Sequence, residues 1–119
     1  MIDKNLYGCY YNFMSYIVVL STINNIETAK FIAKTLIEQK LAACVNIVPN
    51  ITSIYSWKDE LCEDSEVLLI IKSKSEFFNA VKSEIEKLHP YEVPEVISFE
   101  INNGSNSYLS WLDNCLPQR

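Results

Sequence analysis

The longest regular pattern in the sequence is an alternation of apolar and polar side chains from Cys44 to Trp57. A period of two indicates a β-strand, and this run exceeds the usual strand length of roughly five to six residues. Pro49 cannot donate a hydrogen bond to a neighbouring strand, which predicts a bulge or a sheet edge there. The apolar side chains predicted to share one face are Val45, Ile47, Ile51, Tyr55 and Trp57.

A polar turn predicted over residues 58–65 separates this strand from an almost continuously apolar strand over residues 66–72. Two long strands joined by a short turn form a hairpin, which should project beyond the rest of a small domain. The far end of the hairpin carries Tyr55 and Trp57, whose apolar surface needs a cover. A second copy of the chain is the simplest cover, so the pattern predicts oligomerisation.

A strand and a helix are predicted before the hairpin. The strand, over residues 16–21, is apolar on both faces, which is typical of a central strand. The helix follows residues 24–25 and continues to about residue 40, and Asn24 with Glu27 resembles its capping box. Its apolar side chains recur at helical spacing and predict one stripe against a sheet: Ala29, Ile32, Ala33, Leu36 and Ile37.

A second helix and a further strand are predicted after the hairpin. Ser73 and Glu76 predict the start of this helix, which ends at His89, the residue before a proline. Its apolar stripe comprises Phe78, Val81, Ile85 and Leu88. A strand over residues 96–101 follows, and its alternate apolar side chains are expected to point inward: Ile97, Phe99 and Ile101.

A last helix, capped by Ser105 or Asn106, completes the order β-α-β-β-α-β-α. One face of it carries Tyr108, Trp111, Leu112 and Cys115. The order predicts an α+β, ferredoxin-like β-α-β-β-α-β sandwich with a long central hairpin and an extra C-terminal helix. We predict a single domain over residues 16–119. Residues 1–15 show no period and are predicted to be a disordered N-terminal tail.

Charge and hydropathy exclude several classes of protein. The net charge is −5, and no cluster of lysine and arginine is present to neutralise the phosphates of a nucleic acid. The longest apolar runs, over residues 17–20 and 67–71, are far shorter than the roughly 20 residues that span a bilayer. We therefore expect neither a nucleic acid nor a membrane as partner. The first fifteen residues lack a secretory signal and the four cysteines lack CxxC spacing, which predicts a cytoplasmic protein.

The stretch from His89 to Glu95 holds the only histidine and two of the four prolines. Prolines restrict the backbone, so this connector is expected to be stiff and extended. Imidazole and thiolate suit copper or zinc, which makes His89 with Cys44 a candidate metal site. The alternative is structural, with His89 capping the preceding helix and Cys44 packing as a small apolar side chain.

A second candidate site combines Glu66, Glu92 and Glu95 with Lys72 and Tyr91. Glu66 and Lys72 are an even number of residues apart on one predicted strand, so they should lie on the same face. Such a set could perform acid–base chemistry, capture an anion, or form an ion pair that holds the connector down.

No recognisable catalytic motif accompanies these residues. The chain has two glycines, so it lacks a glycine-rich phosphate loop. Its only arginine is Arg119, whereas an acylphosphatase-like site needs an arginine in a phosphate-binding loop. Cys44 lies in an apolar strand without an activating motif. We therefore expect that the protein is not an enzyme.

Five separated segments carry a recognisable pattern in order: residues 41–46 (LAACVN), 53–57 (SIYSW), 66–72, 89–95 (HPYEVPE) and 108–111 (YLSW). Together, over about residues 16–116, they resemble the CutA divalent-cation-tolerance family. The resemblance implies a ferredoxin-like subunit in a tight homotrimer, similar to PII-type signalling proteins, in which the hairpins of neighbouring subunits interlock. It also implies a part in tolerance of copper and other divalent cations, and some members bind copper.

The resemblance also implies an inter-subunit cleft, whose positions are Tyr55, Trp57, Glu66, Lys72, Tyr91, Glu95, Tyr108 and Trp111. Of the metal ligands proposed for bacterial members, only His89 matches. Ser21 stands at the position of a first-strand thiol, and Leu88 precedes His89 in place of a second histidine. The usual glycine of the hairpin turn is Asp59, a change expected to be tolerated.

Three functional hypotheses follow from these residues and the resemblance. The first is a trimeric protein of divalent metal response that binds copper or another divalent cation weakly through His89 and nearby carboxylates or Cys44. The second is a PII-like sensor that binds a small anion or a partner protein in the cleft. The third is a purely structural trimer whose cleft residues are interface packing.

Overall fold

The computed structural model describes residues 15–117, so the predicted tail, except Ser15, lies outside the described residues. This range contains strands β1 (Tyr16–Ile23), β2 (Cys44–Trp57), β3 (Glu60–Lys74) and β4 (Ile97–Glu100). Its helices are α1 (Ile26–Glu38), α2 (Phe78–Leu88), which follows a 3-10 turn, and α3 (Asn106–Cys115). The strands form one antiparallel sheet in the order β2-β3-β1-β4. No helix within residues 15–117 is long and apolar enough to cross a membrane.

The hydrophobic core joins one face of the sheet to α1 and α2. Alternate residues of β1 are buried and the others are half-buried, as expected for a strand covered on one face. The fully buried core side chains include Val19, Ile23, Ile32, Leu36, Leu69, Ile71, Val81 and Ile85. The predicted stripe of α1 is confirmed except for Ile37, which is exposed. Burial of these stripes sets how the helices lie on the sheet.

The opposite face of the sheet is apolar and largely open. Ile97 pairs with Leu20 and Phe99 with Val18, so these residues share a face that alternates with the buried side of β1. Ile97 and Phe99 are each 53% exposed. The prediction that they point inward was wrong, because alternation shows that they share a face without showing which face the helices cover.

The β2–β3 hairpin is longer and its turn shorter than the sequence predicts. Trp57 pairs with Glu60, so the turn consists only of Lys58 and Asp59. Both turn residues have positive φ, 53° and 66°, as a two-residue type I′ turn requires. The predicted turn over residues 58–65 was wrong, because the outer part of β3 is largely exposed and shows no apolar period.

A one-residue bulge interrupts β2 where Pro49 predicts it. Val48 pairs with Leu68 and Ile51 with Glu66, so three steps along β2 match two along β3. Each side chain beyond the bulge therefore changes face. The prediction of a single apolar face along β2 was wrong: Val45 and Ile47 share the face of the buried β3 residues, whereas Ile51, Tyr55 and Trp57 share the opposite one.

The ends of the helices partly follow the predicted signals. The cap of α1 is Asn25 rather than Asn24, and its side chain accepts the Thr28 N–H at 2.7 Å. Ser73 lies inside β3 and donates to a loop carbonyl 2.7 Å away, so the prediction that it caps α2 was wrong. The predicted cap Ser105 accepts the backbone N–H of the first turn of α3. α2 ends where its proline signal predicts.

An ion pair between a buried lysine and a partly exposed aspartate attaches α3 to the end of β3. The Lys74 Nζ lies 3.0 Å from the Asp113 carboxylate, and the Lys74 side chain is only 4% exposed. The same ammonium lies 5.9 Å from the centroid of the Phe77 ring, within range of a cation–π contact. The pair therefore orients α3 as well as neutralising a desolvated charge.

We expect Asp113→Ala to lower the free energy of unfolding by roughly 2–3 kcal/mol, because it leaves the buried Lys74 ammonium without its counter-ion. Lys82→Ala removes the exposed ion pair with Glu86 and should change it by less than about 1 kcal/mol. Urea unfolding followed by circular dichroism measures both variants. Equal losses would contradict the anchoring role of Lys74.

Candidate functional site

A groove of about 660 Å³ lies between the hairpin and the loop that follows α2. Five of the eight predicted cleft residues line it: Tyr55, Trp57, Glu66, Tyr91 and Glu95. Glu92 and Thr22 also contribute to its walls. The bulge in β2 places Tyr55 and Trp57 on the same sheet face as Glu66, which is why the hairpin can form one wall.

His89 fixes the loop wall of the groove to the sheet. Its backbone caps the C-terminus of α2, and its side chain is buried. The ring Nε2 lies 2.7 Å from the carbonyl oxygen of Thr22. Thr22 lies in the part of β1 that is not paired with β4. The backbone N–H of Tyr91 donates to Nδ1 over 3.2 Å. One imidazole thus joins α2, β1 and the loop.

These two partners also determine the tautomer of His89. A carbonyl can only accept and an amide N–H can only donate, so Nε2 carries the proton and Nδ1 accepts. Both nitrogens are then engaged in hydrogen bonds within the protein, and a metal ion would have to displace one of them. These contacts match the structural alternative, in which His89 caps α2. The ring is neutral rather than cationic, because Nδ1 accepts the Tyr91 N–H.

Tyr91 connects the loop to the buried carboxylate of Glu66. The Tyr91 hydroxyl donates to Glu66 Oε2 over 2.6 Å, a length typical of a charge-assisted bond. Glu66 is only 7% exposed although it lies on the open face of β3. Burial of the phenol, followed by its hydrogen bond to Glu66, raises the pKa of Tyr91. Tyr91 therefore remains a hydrogen-bond donor throughout the neutral range.

The outer hairpin contributes a second tyrosine–carboxylate pair that the sequence does not reveal. Tyr55 donates a hydrogen bond to Asp64, which faces the groove side of β3 two residues before Glu66. This hydrogen bond is the main cause that raises the pKa of Tyr55 to about 12. No sequence signal identifies Asp64, because its partner depends on a cross-strand register that the bulge shifts.

The groove is negatively charged and aromatic. Its walls carry the carboxylates Glu66, Glu92 and Glu95, and no lysine or arginine is among the described residues that line it. At the hairpin turn, the Lys58 ammonium lies 5.6 Å from the centroid of the Trp57 ring. Such a surface attracts cations and repels free anions.

The other three predicted cleft residues lie elsewhere in the chain, beside Cys44. Lys72 pairs with Cys44 across β2 and β3 and donates a hydrogen bond to the Asn46 side chain. Burial raises the pKa of Tyr108, and the neighbouring Cys44 adds to the effect. The Tyr108 and Trp111 rings lie 5.5 Å apart. We call Cys44, Lys72, Tyr108 and Trp111 the α3 cluster.

The structure separates the two predicted metal ligands. His89 bonds to Thr22, which pairs with Leu68, whereas Cys44 pairs with Lys72. Four residues of β3 separate these positions, which corresponds to roughly 13 Å. Nowhere between residues 15 and 117 do three histidine, cysteine, aspartate or glutamate side chains come close enough to hold a metal ion.

The fold and the groove define a small α+β protein with a four-stranded antiparallel sheet, three helices in the described range, and an acidic aromatic site beside a long hairpin. Residues 17–115 match the model of one family, the CutA1 divalent ion tolerance protein. The chain belongs to this family.

Relatives and solved structures agree with this assignment. The divalent-cation tolerance protein CutA of Thermus thermophilus is 50% identical over 95 residues, which are 80% of this chain and 92% of the relative. The CutA homolog of Xenopus laevis is 50% identical over 97 residues, which are 82% of this chain but 64% of the relative. The crystal structure of CutA1 from Oryza sativa superposes with a TM-score of 0.86 at 42% identity, over 91% of this chain and 99% of that one.

We expect His89→Ala to lower the free energy of unfolding by roughly 1–3 kcal/mol, because it leaves two partly buried groups unpaired, the Thr22 carbonyl and the Tyr91 N–H. Lys87, two residues earlier, has an exposed side chain. Lys87→Ala should therefore change the free energy of unfolding by less than about 0.5 kcal/mol. Urea unfolding compares the two. A His89→Ala variant as stable as Lys87→Ala would show that the ring does not hold the loop.

Proposed function

We propose that this protein is a non-enzymatic CutA-like trimer that takes part in tolerance of divalent metal ions, copper among them, and binds such ions weakly. Membership of the CutA1 family supports the part in tolerance. The observation that carries the binding is the groove, which presents three carboxylates and no basic side chain among the described residues that line it. Oxygen ligands in an open, wet groove give labile rather than tight coordination.

The ligands that we propose are the exposed carboxylates Glu92 and Glu95, with water completing the coordination. Of the other predicted ligands, His89 would have to give up a buried hydrogen bond. Cys44 lies about 13 Å along the sheet and has Lys72 as its cross-strand neighbour, whose positive charge opposes cation binding. A closed copper site of the kind that needs about four ligands does not fit these residues.

We also propose the ferredoxin-like arrangement and the homotrimer that the resemblance implies. The strand order β2-β3-β1-β4 supports the first. The open face of the sheet and the outer hairpin support the second, since Ile54, Leu61, Ile97 and Phe99 are exposed apolar side chains. Glu66 and Lys72 lie six residues apart on one strand, roughly 20 Å, so a cleft that contains both needs two subunits.

A PII-like anion sensor is the weaker alternative. Its cleft would require a cation, and Lys72 is not among the residues of the groove in its own chain. For the compartment we propose the cytoplasm, supported by Cys44, Cys62 and Cys115, which are free thiols in the described part of the chain. Names of relatives include other compartments, such as the chloroplastic CutA of Arabidopsis thaliana.

Calorimetric titration with Cu(II) and Zn(II) tests the metal proposal. We expect weak binding that falls several-fold in a Glu92→Gln, Glu95→Gln double variant, because the neutral amides no longer attract the ion. A conservative His89→Gln variant should bind as the parent does. A large loss in His89→Gln with no loss in the double variant would reverse the assignment of the ligands.

Sedimentation equilibrium tests the assembly. We expect a trimer for the parent, and dissociation toward monomer for Leu61→Lys, because a charge at an apolar contact must be desolvated when the hairpins pack together. Lys34→Glu, a change of charge on the solvent face of α1, is the control and should leave the trimer intact. A monomeric parent would contradict both the trimer and the shared cleft.

A further inference from the structure

The loop between β4 and α3 contains the only Asn-Gly pair in the sequence, Asn103-Gly104. The Ile101 N–H donates to the Tyr16 carbonyl over 2.8 Å, which attaches the start of the loop to the beginning of β1. Tyr16 pairs with the last residue of β3, so this end of the sheet is the one farthest from the hairpin turn. The loop therefore lies at the opposite end of the subunit from the outer hairpin.

The side chain of Asn103 and the backbone nitrogen of Gly104 are both accessible and unrestrained. The two residues are exposed and belong to no helix or strand. Within residues 15–117, no recorded hydrogen bond engages the Asn103 side chain or the Gly104 N–H. Gly104 has no Cβ to shield its nitrogen or to restrict its backbone. Asparagine is a thermolabile residue, and these surroundings leave its amide open to attack by the following nitrogen.

We propose that Asn103-Gly104 is a site of spontaneous deamidation, which converts Asn103 to isoaspartate and aspartate. The Gly104 nitrogen attacks the side-chain carbonyl carbon of Asn103, and the new C–N bond closes a succinimide ring. The side-chain NH2 and the proton lost from the Gly104 nitrogen leave together as ammonia. Water then opens the ring. Attack at the backbone carbonyl gives isoaspartate, in which the chain continues through the side chain, and attack at the side-chain carbonyl gives aspartate.

The two products differ in their effect on α3. Ser105 follows Gly104 and caps the helix, because its side chain accepts the Tyr108 N–H over 3.3 Å. Aspartate at position 103 places a negative charge near the start of α3, where the helix dipole favours it. Isoaspartate instead adds a methylene group to the backbone, and the short loop before the cap has to absorb this extra length. We therefore expect isoaspartate, and not aspartate, to weaken the cap.

The test is incubation of the full chain in mildly alkaline buffer, followed by peptide mapping with mass spectrometry. We expect Asn103 to show the mass increase of an exchange of NH2 for OH. An isoaspartyl methyltransferase with a labelled methyl donor should then label the same peptide. Asn102 is exposed in the same loop but precedes an asparagine, so it is the internal control and should react several-fold more slowly. Gly104→Ala should slow the reaction of Asn103 several-fold, because a Cβ shields the nitrogen.

The effect on α3 is measured on the isoaspartate form, separated from the parent by ion exchange. We expect it to unfold at a lower urea concentration than the parent, whereas Asn103→Asp should unfold at the same concentration or a higher one. Equal midpoints for the isoaspartate form and the parent would contradict the effect on the cap.

Three outcomes would overturn the modification site. Equal rates at Asn102 and Asn103 would mean unselective hydrolysis of exposed amides. A Gly104→Ala variant that reacts as fast as the parent would show that the glycine nitrogen is not the nucleophile. A parent that stays unmodified while the dissociated variant Leu61→Lys reacts would show that a second copy covers the loop.

Discussion

The bulge at Pro49 decides which residues can form a site in this protein. With uninterrupted pairing, Tyr55 and Trp57 would lie on the helix-covered face of the sheet, beside Val45 and Ile47. One extra residue in β2 turns the whole outer hairpin over. The aromatic rings then share a face with Glu66, and the groove acquires a wall. Pro49 lies on an edge strand, where proline is tolerated, and the bulge beside it determines which side chains of the outer hairpin face the groove.

The second wall of the groove depends on His89, which attaches the loop after α2 to the sheet. The ring bonds β1 on one side and the amide of Tyr91 on the other, and it packs edge-on against the Tyr91 ring, with centroids 4.5 Å apart. Tyr91 in turn reaches Glu66 on β3. These contacts connect β1 through the loop to β3 and so position the loop wall of the groove. His89 therefore affects the groove by holding its loop wall in place.

Periodicity predicts the element order and the stripes of the core, and a proline predicts the end of α2, because each of these signals depends on residues close in sequence. Register does not follow from periodicity, so the alternation at Ile97 and Phe99 shows a shared face but not which one is covered. Tyr91 and Glu66 were singled out from the motif, whereas the contact of Tyr55 with Asp64 depends on a cross-strand register and the bond of His89 to Thr22 on the packing of the loop against β1. Such contacts join residues that are distant in sequence, so the spacing of residues along the chain does not predict them.

The charges of the site are divided along one rigid strand. Glu66 near the middle of β3 and Lys72 near its end share a face, yet a strand cannot shorten to bring them together. A single chain therefore presents a negative groove and a separate positive position beside α3. A head-to-tail contact between copies would bring such unlike ends together, and a closed ring of copies satisfies each end once. Because β3 is stiff, these unlike charges cannot neutralise each other within one chain, which supports the proposed assembly of several copies.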